Sequence, residues 1–181
     1  SHKCVVASGT IPKQPQDINI DPGATVAYTV LRLAAAEGKN ICIIGGGEAA
    51  LDYGMRLSES NRVVVLVRGD SPKGILSLRE MAQKHLDIRT GCRVTAIDRN
   101  TAVHLENGDV LDFDHVLIAI GRSPATWFLY NLRHKIDELA DRELLLFAGD
   151  IGNDRHRQVA IAAGDGVKVA MRILEKHGDN I

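Results

Sequence analysis

Short apolar runs, each closed by glycine or a polar turn, alternate along the chain with segments of helical periodicity. Lys3–Ala7 (KCVVA), Ile41–Ile44 (ICII), Arg62–Val67 (RVVVLV) and Val116–Ile120 (VLIAI) predict buried strands. Continuous aliphatic runs of this length suit a strand covered on both faces. Glu143–Ala148 predicts a further strand, running into Gly149 and Asp150. Helices are predicted over Ala24–Glu37 with Gly38 as its cap, over Glu48–Glu59, over Ser77–His85 and over Gln158–His177. Thr126–Leu139 is expected to be partly helical. After the third helix the apolar period falls to two. Arg93–Asp98, Ala102–Glu106 and Val110–Phe113 predict a meander, with Asn107-Gly108 as a two-residue hairpin turn. Thr10–Gly23, with Pro12, Pro15 and Pro22, reads as a linker. Strand, helix, strand, helix, meander and strand together predict an α/β fold with Rossmann-like layering: helices on one face of a parallel sheet and the meander on the other.

Composition narrows the classes. The 181 residues are 45% apolar and 25% charged, with a net charge of -1, which suits a globular domain. No basic excess points to nucleic acid or an anionic membrane, so neither is expected as a partner. No apolar run reaches the roughly 18–20 residues of a membrane span. Cys4, Cys42 and Cys92 are widely spaced and form no disulfide framework or CxxC pair. The expectation is a reduced, cytoplasmic setting, with Cys4 and Cys42 buried as small hydrophobes. The histidines show no metal-ligand spacing.

Chemistry concentrates at Gly45–Ala50 (GGGEAA), which matches G-x-G-x-x-A between a buried strand and a helix. The first glycine permits the tight turn. The second lets a pyrophosphate approach the backbone, and the third small residue lets helix pack on strand. Helix amides and the dipole then face the phosphates. Gly45, Gly46, Gly47, Glu48, Ala49 and Ala50 are therefore candidate cofactor-binding residues. Glu48 and Asp52 are also placed to stabilise the helix dipole or to meet the nicotinamide side. The second strand ends Val67-Arg68-Gly69-Asp70-Ser71-Pro72-Lys73. An acid at this position selects NAD, whereas basic residues select NADP. Arg68 and Lys73 point to NADP, and Asp70, two residues on, keeps NAD as the alternative.

Several segments together resemble the pyridine nucleotide–disulfide oxidoreductases, two-dinucleotide flavoproteins, and within them the thioredoxin-reductase-like branch. Val5–Pro12 (VVASGTIP) is similar to the family's strand and crossover, Gly45–Ala50 to its NAD(P) fingerprint, and Val116–Pro124 (VLIAIGRSP) to its exit motif. Leu146–Asp150 (LFAGD) is similar to its second FAD motif, and Arg157-Gln158-Val159 to the helix start facing the flavin ring. The resemblance adds Ile120, Gly121, Gly149, Asp150, Arg157, Gln158 and Val159 to the cofactor-binding candidates. It implies an FAD-domain strip at 1–23, an NAD(P)-binding domain at 24–122 and a C-terminal FAD-domain segment at 123–181. Two departures stand beside it. The sequence holds no second glycine fingerprint for the FAD adenylate, so the chain reads as the later portion of such a flavoprotein. The stretch Pro22–Leu33, where thioredoxin reductases carry C-x-x-C, has no cysteine.

The implied function is the NAD(P)H-binding portion of an FAD-dependent oxidoreductase that passes hydride from NADPH to flavin and on to an external acceptor, with a protein electron acceptor among the candidates. The alternative is a non-catalytic NAD(P)-binding module without flavin. No catalytic residue is assigned, and no turnover is expected of the chain alone. Arg155-His156-Arg157 forms a basic cluster suited to a phosphate or an acidic partner. The stripe Val159, Ala163, Val167, Ala170, Ile173 and Leu174 needs a covering surface, which leads to the expectation of a homo-oligomer.

Overall fold

The computed structural model describes residues 3–153 and 157–178. Strands are β1 (Cys4–Val6), β2 (Thr10–Pro12), β3 (Asn19–Ile20), β4 (Val26–Ala27) and β5 (Asn40–Ile44). Helix α1 (Glu48–Ser58), β6 (Arg62–Leu66), α2 (Leu76–His85) and β7 (Asp87–Arg89) follow. Then come β8 (Val94–Ile97), β9 (Val103–Leu105), β10 (Val110–Leu111), β11 (His115–Ile118) and β12 (Arg122–Pro124). Helix α3 (Ile136–Asp141), β13 (Leu145–Phe147) and α4 (Val159–Gly178) complete the order. The chain divides into two compact units: Pro12–Gly121, and the segments on either side of it.

The Pro12–Gly121 unit is built on a five-stranded sheet in the order β4-β11-β5-β6-β7, with every pair parallel. Side-chain alternation along its strands supplies both cores. Ile41, Ile43, Val63, Val65 and Leu117 pack under Ala50, Leu51 and Leu57 of α1 and Ala82 of α2. Cys42, Ile44, Val64, Leu66, Val116 and Ile118 face the other way, onto Val94, Ile97, Val103 and Leu105 of the meander. This is the Rossmann-type layering that the hydrophobic pattern predicts. The meander sheet runs β10-β9-β8-β3, with β3 parallel to β8 and the other pairs antiparallel.

Three local expectations are corrected. Ala24–Glu37 is not a helix. Val26 and Ala27 pair with Val116 and Leu117 as an outer strand of the parallel sheet. Only Val30–Leu33 then turns, as a single 3-10 segment. The alanines that suggested a helix yield to the sheet edge, which offers β-branched Thr25 and Val26 a ladder. The Thr10–Gly23 linker contains β2 and β3, which pair with β12 and β8. Cys4 is exposed while Cys42 is fully buried, so only the second acts as a core hydrophobe.

In the flanking unit, β1 and β13 pair in parallel. Val6, Leu129, Leu145 and Ile151 form one cluster, and Leu146, Ala148 and Val169 another. The inward face of α4 is centred on Val169 with Ile173 beside it. The stripe expected to need a covering surface is largely open, with Val159, Val167 and Leu174 88%, 61% and 68% exposed.

Candidate functional site

A cavity of about 640 Å³ opens over the carboxyl ends of β5, β6 and β11, entirely within the Pro12–Gly121 unit. In open α/β sheets this is where ligands sit, and the volume is that of a small-molecule site. Gly45, Gly46, Gly47, Glu48, Ala49, Arg68, Lys73, Ile120 and Gly121 all line it. Ala50 lies behind them, fully buried in the helix–sheet core.

The three glycines have different reasons. Gly45 has φ +147, and a Cβ there would lie 2.3 Å from the Ala119 carbonyl oxygen. This glycine is required by the approach of β5 to the end of β11. A Cβ on Gly46 would meet Val67 Cγ1 at 2.6 Å. Gly47 differs: a Cβ there would meet nothing within 4 Å. Its φ of -88 and ψ of 174 suit any residue. No contact among the described residues demands a glycine at 47. Glu48 and Ala49 follow it on the cavity wall. Their N–H groups, at the helix start, have no intrahelical acceptor. These features fit a bound pyrophosphate. Further along the helix, Gly54 lets α1 approach closely, since a Cβ there would lie 2.8 Å from Leu86 Cδ1.

Glu48 has a structural task. Its Oε1 accepts from the Ile75 N–H at 3.1 Å, and the Lys73 N–H donates to the Gly46 carbonyl at 2.6 Å. Together these bonds hold the loop before α2 against the glycine turn, and with it Lys73. Glu48→Ala is expected to accelerate amide exchange at Ile75 and to lower stability by about 1 kcal/mol, read by hydrogen exchange and thermal melting.

The cavity rim is charged. Arg68 Nη1 lies 3.3 Å from Asp17 Oδ2. Lys73 has no ion-pair partner among the described residues. Asp70, the acid that kept the alternative cofactor open, is exposed and does not line the cavity. Pro15, Asp17, Ile18, Cys92 and Arg93 line it although sequence reading does not single them out. The first three come from the predicted linker. The last two follow β7, and backbone bonds from Cys92 to Val67 and from Gly91 to Gly69 bring them alongside the end of β6. Arg93 Nη1 pairs with Glu106 at 3.2 Å. Burial pushes the Cys92 thiol up, so it stays protonated and donates to the Thr90 carbonyl.

The remaining candidates belong to the flanking unit. Gly149 has φ +76, and a Cβ there would meet Ala162 of α4 at 3.4 Å. Asp150 is half-buried in the 3-10 turn Gly149–Ile151. Asn153 Nδ2 ties this turn to α4, donating to the Gly149 carbonyl at 3.0 Å and to Asp165 at 2.6 Å. Arg157 donates to the carbonyls of Asn153 at 2.7 Å and Arg122 at 3.3 Å. Gln158 and Val159 are exposed. Arg155 and His156 of the basic cluster lie outside the described residues. Among the described residues no group of three His, Cys, Asp or Glu side chains could hold a metal, and no helix is long and apolar enough to cross a membrane.

The doubly covered parallel sheet and the glycine turn at its switch point place the chain in the Rossmann-type α/β class. Comparison with known proteins narrows this. The pyridine nucleotide-disulphide oxidoreductase family matches residues 1–141, and the chain belongs to that family. It is 33% identical over 97 residues to a ferredoxin–NADP reductase of Rickettsia akari, covering 49% of this chain and 29% of that protein. It is 28% identical over 165 residues to a thioredoxin reductase of Neurospora crassa, covering 77% of this chain and 49% of that protein. The chain thus spans less than half of the length of these curated relatives. Its fold is similar to that of Lactococcus lactis thioredoxin reductase, with a TM-score of 0.80 at 20% identity over 94% of this chain and 64% of that one.

Proposed function

We propose that the Pro12–Gly121 unit binds NADPH and serves as the nucleotide domain of a flavin-dependent oxidoreductase. The observation that carries this reading is Gly47, a glycine that no contact among the described residues requires, at the mouth of a helix and a cavity. The glycine turn and first-turn amides of α1 would hold the pyrophosphate. Arg68 and Lys73 would meet the 2′-phosphate, a role that suits their place on the rim and the absence of Asp70 from it. Ile120 and Gly121, at the end of β11, would border the nicotinamide side. When bound, NADPH would supply the hydride for the flavin-dependent reduction of an external acceptor.

For the flavin itself, Gly149, Asp150 and the start of α4 offer a turn and a helix end. The adenylate would need a second glycine turn, which the 181 residues do not contain. The fit to FAD is therefore partial, and no step is assigned to it. With no cysteine in Pro22–Leu33, this part of the protein contributes no dithiol to the transfer. The three free thiols agree with a cytoplasmic setting.

Calorimetric titration of the chain tests the cofactor reading. NADPH is expected to bind at least about tenfold tighter than NADH, the worth of one charge-assisted hydrogen bond. Equal affinities would overturn it.

A further inference from the structure

Arg68 does not stand alone at the cavity rim. Its guanidinium meets the Asp17 carboxylate at 3.3 Å, and both residues line the cavity over the glycine turn. They lie 51 residues apart, Arg68 just beyond β6 and Asp17 between β2 and β3. The pair is open to water, with 75% of the Arg68 side chain and 48% of the Asp17 side chain exposed. Such a pair is weak and readily exchanged for another anion. A carboxylate presents a guanidinium with the same kind of charged oxygens as a phosphate does.

We propose that Asp17 is a specificity-setting, positioning residue that acts through Arg68: its carboxylate occupies the guanidinium as an internal competitor of a ligand's 2′-phosphate. The proposal rests on the reading of this cavity as an NADPH site. A nucleotide with a free 2′-hydroxyl leaves the Asp17–Arg68 pair intact and is indifferent to it. A 2′-phosphate must share or displace the carboxylate and meets its like charge. Asp17 therefore narrows the preference for phosphorylated over unphosphorylated nucleotides. Two other cations line the cavity. Arg93 is held by Glu106 at 3.2 Å, and Lys73 carries no acidic partner among the described residues. Arg68 is thus the rim cation whose availability is set by an acid of the cavity wall itself.

The test titrates the 181-residue chain and its D17N variant with 2′,5′-ADP and with 5′-ADP. The substitution keeps the size of the side chain and removes its charge, at an exposed position. D17N is expected to bind 2′,5′-ADP about two- to fivefold tighter, the range that an exposed ion pair spans, with 5′-ADP unchanged. The gain is expected to vanish in a D17N/R68A background, where the competitor has nothing to occupy. Unchanged 2′,5′-ADP binding, equal changes for both probes, or a gain that survives loss of Arg68 would each overturn the proposal. Weaker binding of both probes would overturn it too, and would make Asp17 a direct ribose contact instead. If the unmodified chain binds both probes equally, the NADPH reading fails and this proposal fails with it. A retained 2′-phosphate preference with an unresponsive D17N defeats this proposal alone.

Discussion

Gly45→Ala is expected to lower the melting temperature by about 10 °C or more, whereas Gly47→Ala shifts it by only a few degrees and weakens NADPH binding by about 100-fold. The two positions are two residues apart in one turn, yet their backbones face different things. At Gly45 a methyl group would be forced to 2.3 Å from the Ala119 carbonyl oxygen, on a backbone at φ +147 that side chains rarely adopt. Conformational strain alone costs about 1–3 kcal/mol, and the clash with a backbone atom cannot be relieved by a rotamer change. At Gly47 the same methyl group meets nothing, on ordinary extended backbone. An alanine in place of a glycine N-cap costs about 0.5–1 kcal/mol. It would, however, hold a pyrophosphate away from the first-turn amides of α1, and charge-assisted hydrogen bonds are worth about 1.5–3 kcal/mol each. Calorimetric melting and titration of both variants read the contrast. Equal destabilisation by both, or full NADPH affinity in Gly47→Ala, would show that the turn is built only for the fold.

The second large effect concerns the rim. Arg68→Ala is expected to weaken NADPH binding by about 10–100-fold while leaving NADH within about twofold, because one guanidinium can give a 2′-phosphate two charge-assisted bonds. Stability should change by less than about 1 kcal/mol, since the Asp17 pair is exposed. Adding Lys73→Ala is expected to remove the remaining preference. Parallel titrations with both nucleotides provide the measurement. An NADPH preference that survives the double substitution would move the 2′-phosphate to another cation, for which Arg93 is the cavity-lining choice.

Both effects begin in features that local sequence makes plain. The aliphatic runs at Ile41–Ile44, Arg62–Val67 and Val116–Ile120 suit strands covered on both faces, and they form the middle of the sheet. Asn107-Gly108 marks the turn between β9 and β10. Gly45–Ala50 announces itself by spacing. The outer strands are less readable. Val26-Ala27 is short and sits in an alanine-rich segment, and Asp87–Arg89 is three residues with two charges. Each is a strand because a neighbouring strand offers it a ladder, which is a property of the fold and not of the segment. Which apolar residues of α4 pack inward is decided by the fold in the same way. They surround much of the helix, and packing against Leu146 and Ala148 selects Val169 and Ile173.

Sequence by itself determined the class of fold, the glycine turn and the basic residues after the second core strand, because each depends on residues adjacent in the chain. Tertiary structure alone decided which distant loops share the cavity. It showed that Gly45 serves the fold while Gly47 faces open space, that Arg93 and Cys92 reach the wall, and that Asp17 meets Arg68 across 51 residues. Those facts are set by how the sheet stacks and where its connections return, and no local pattern of polar and apolar residues carries that information.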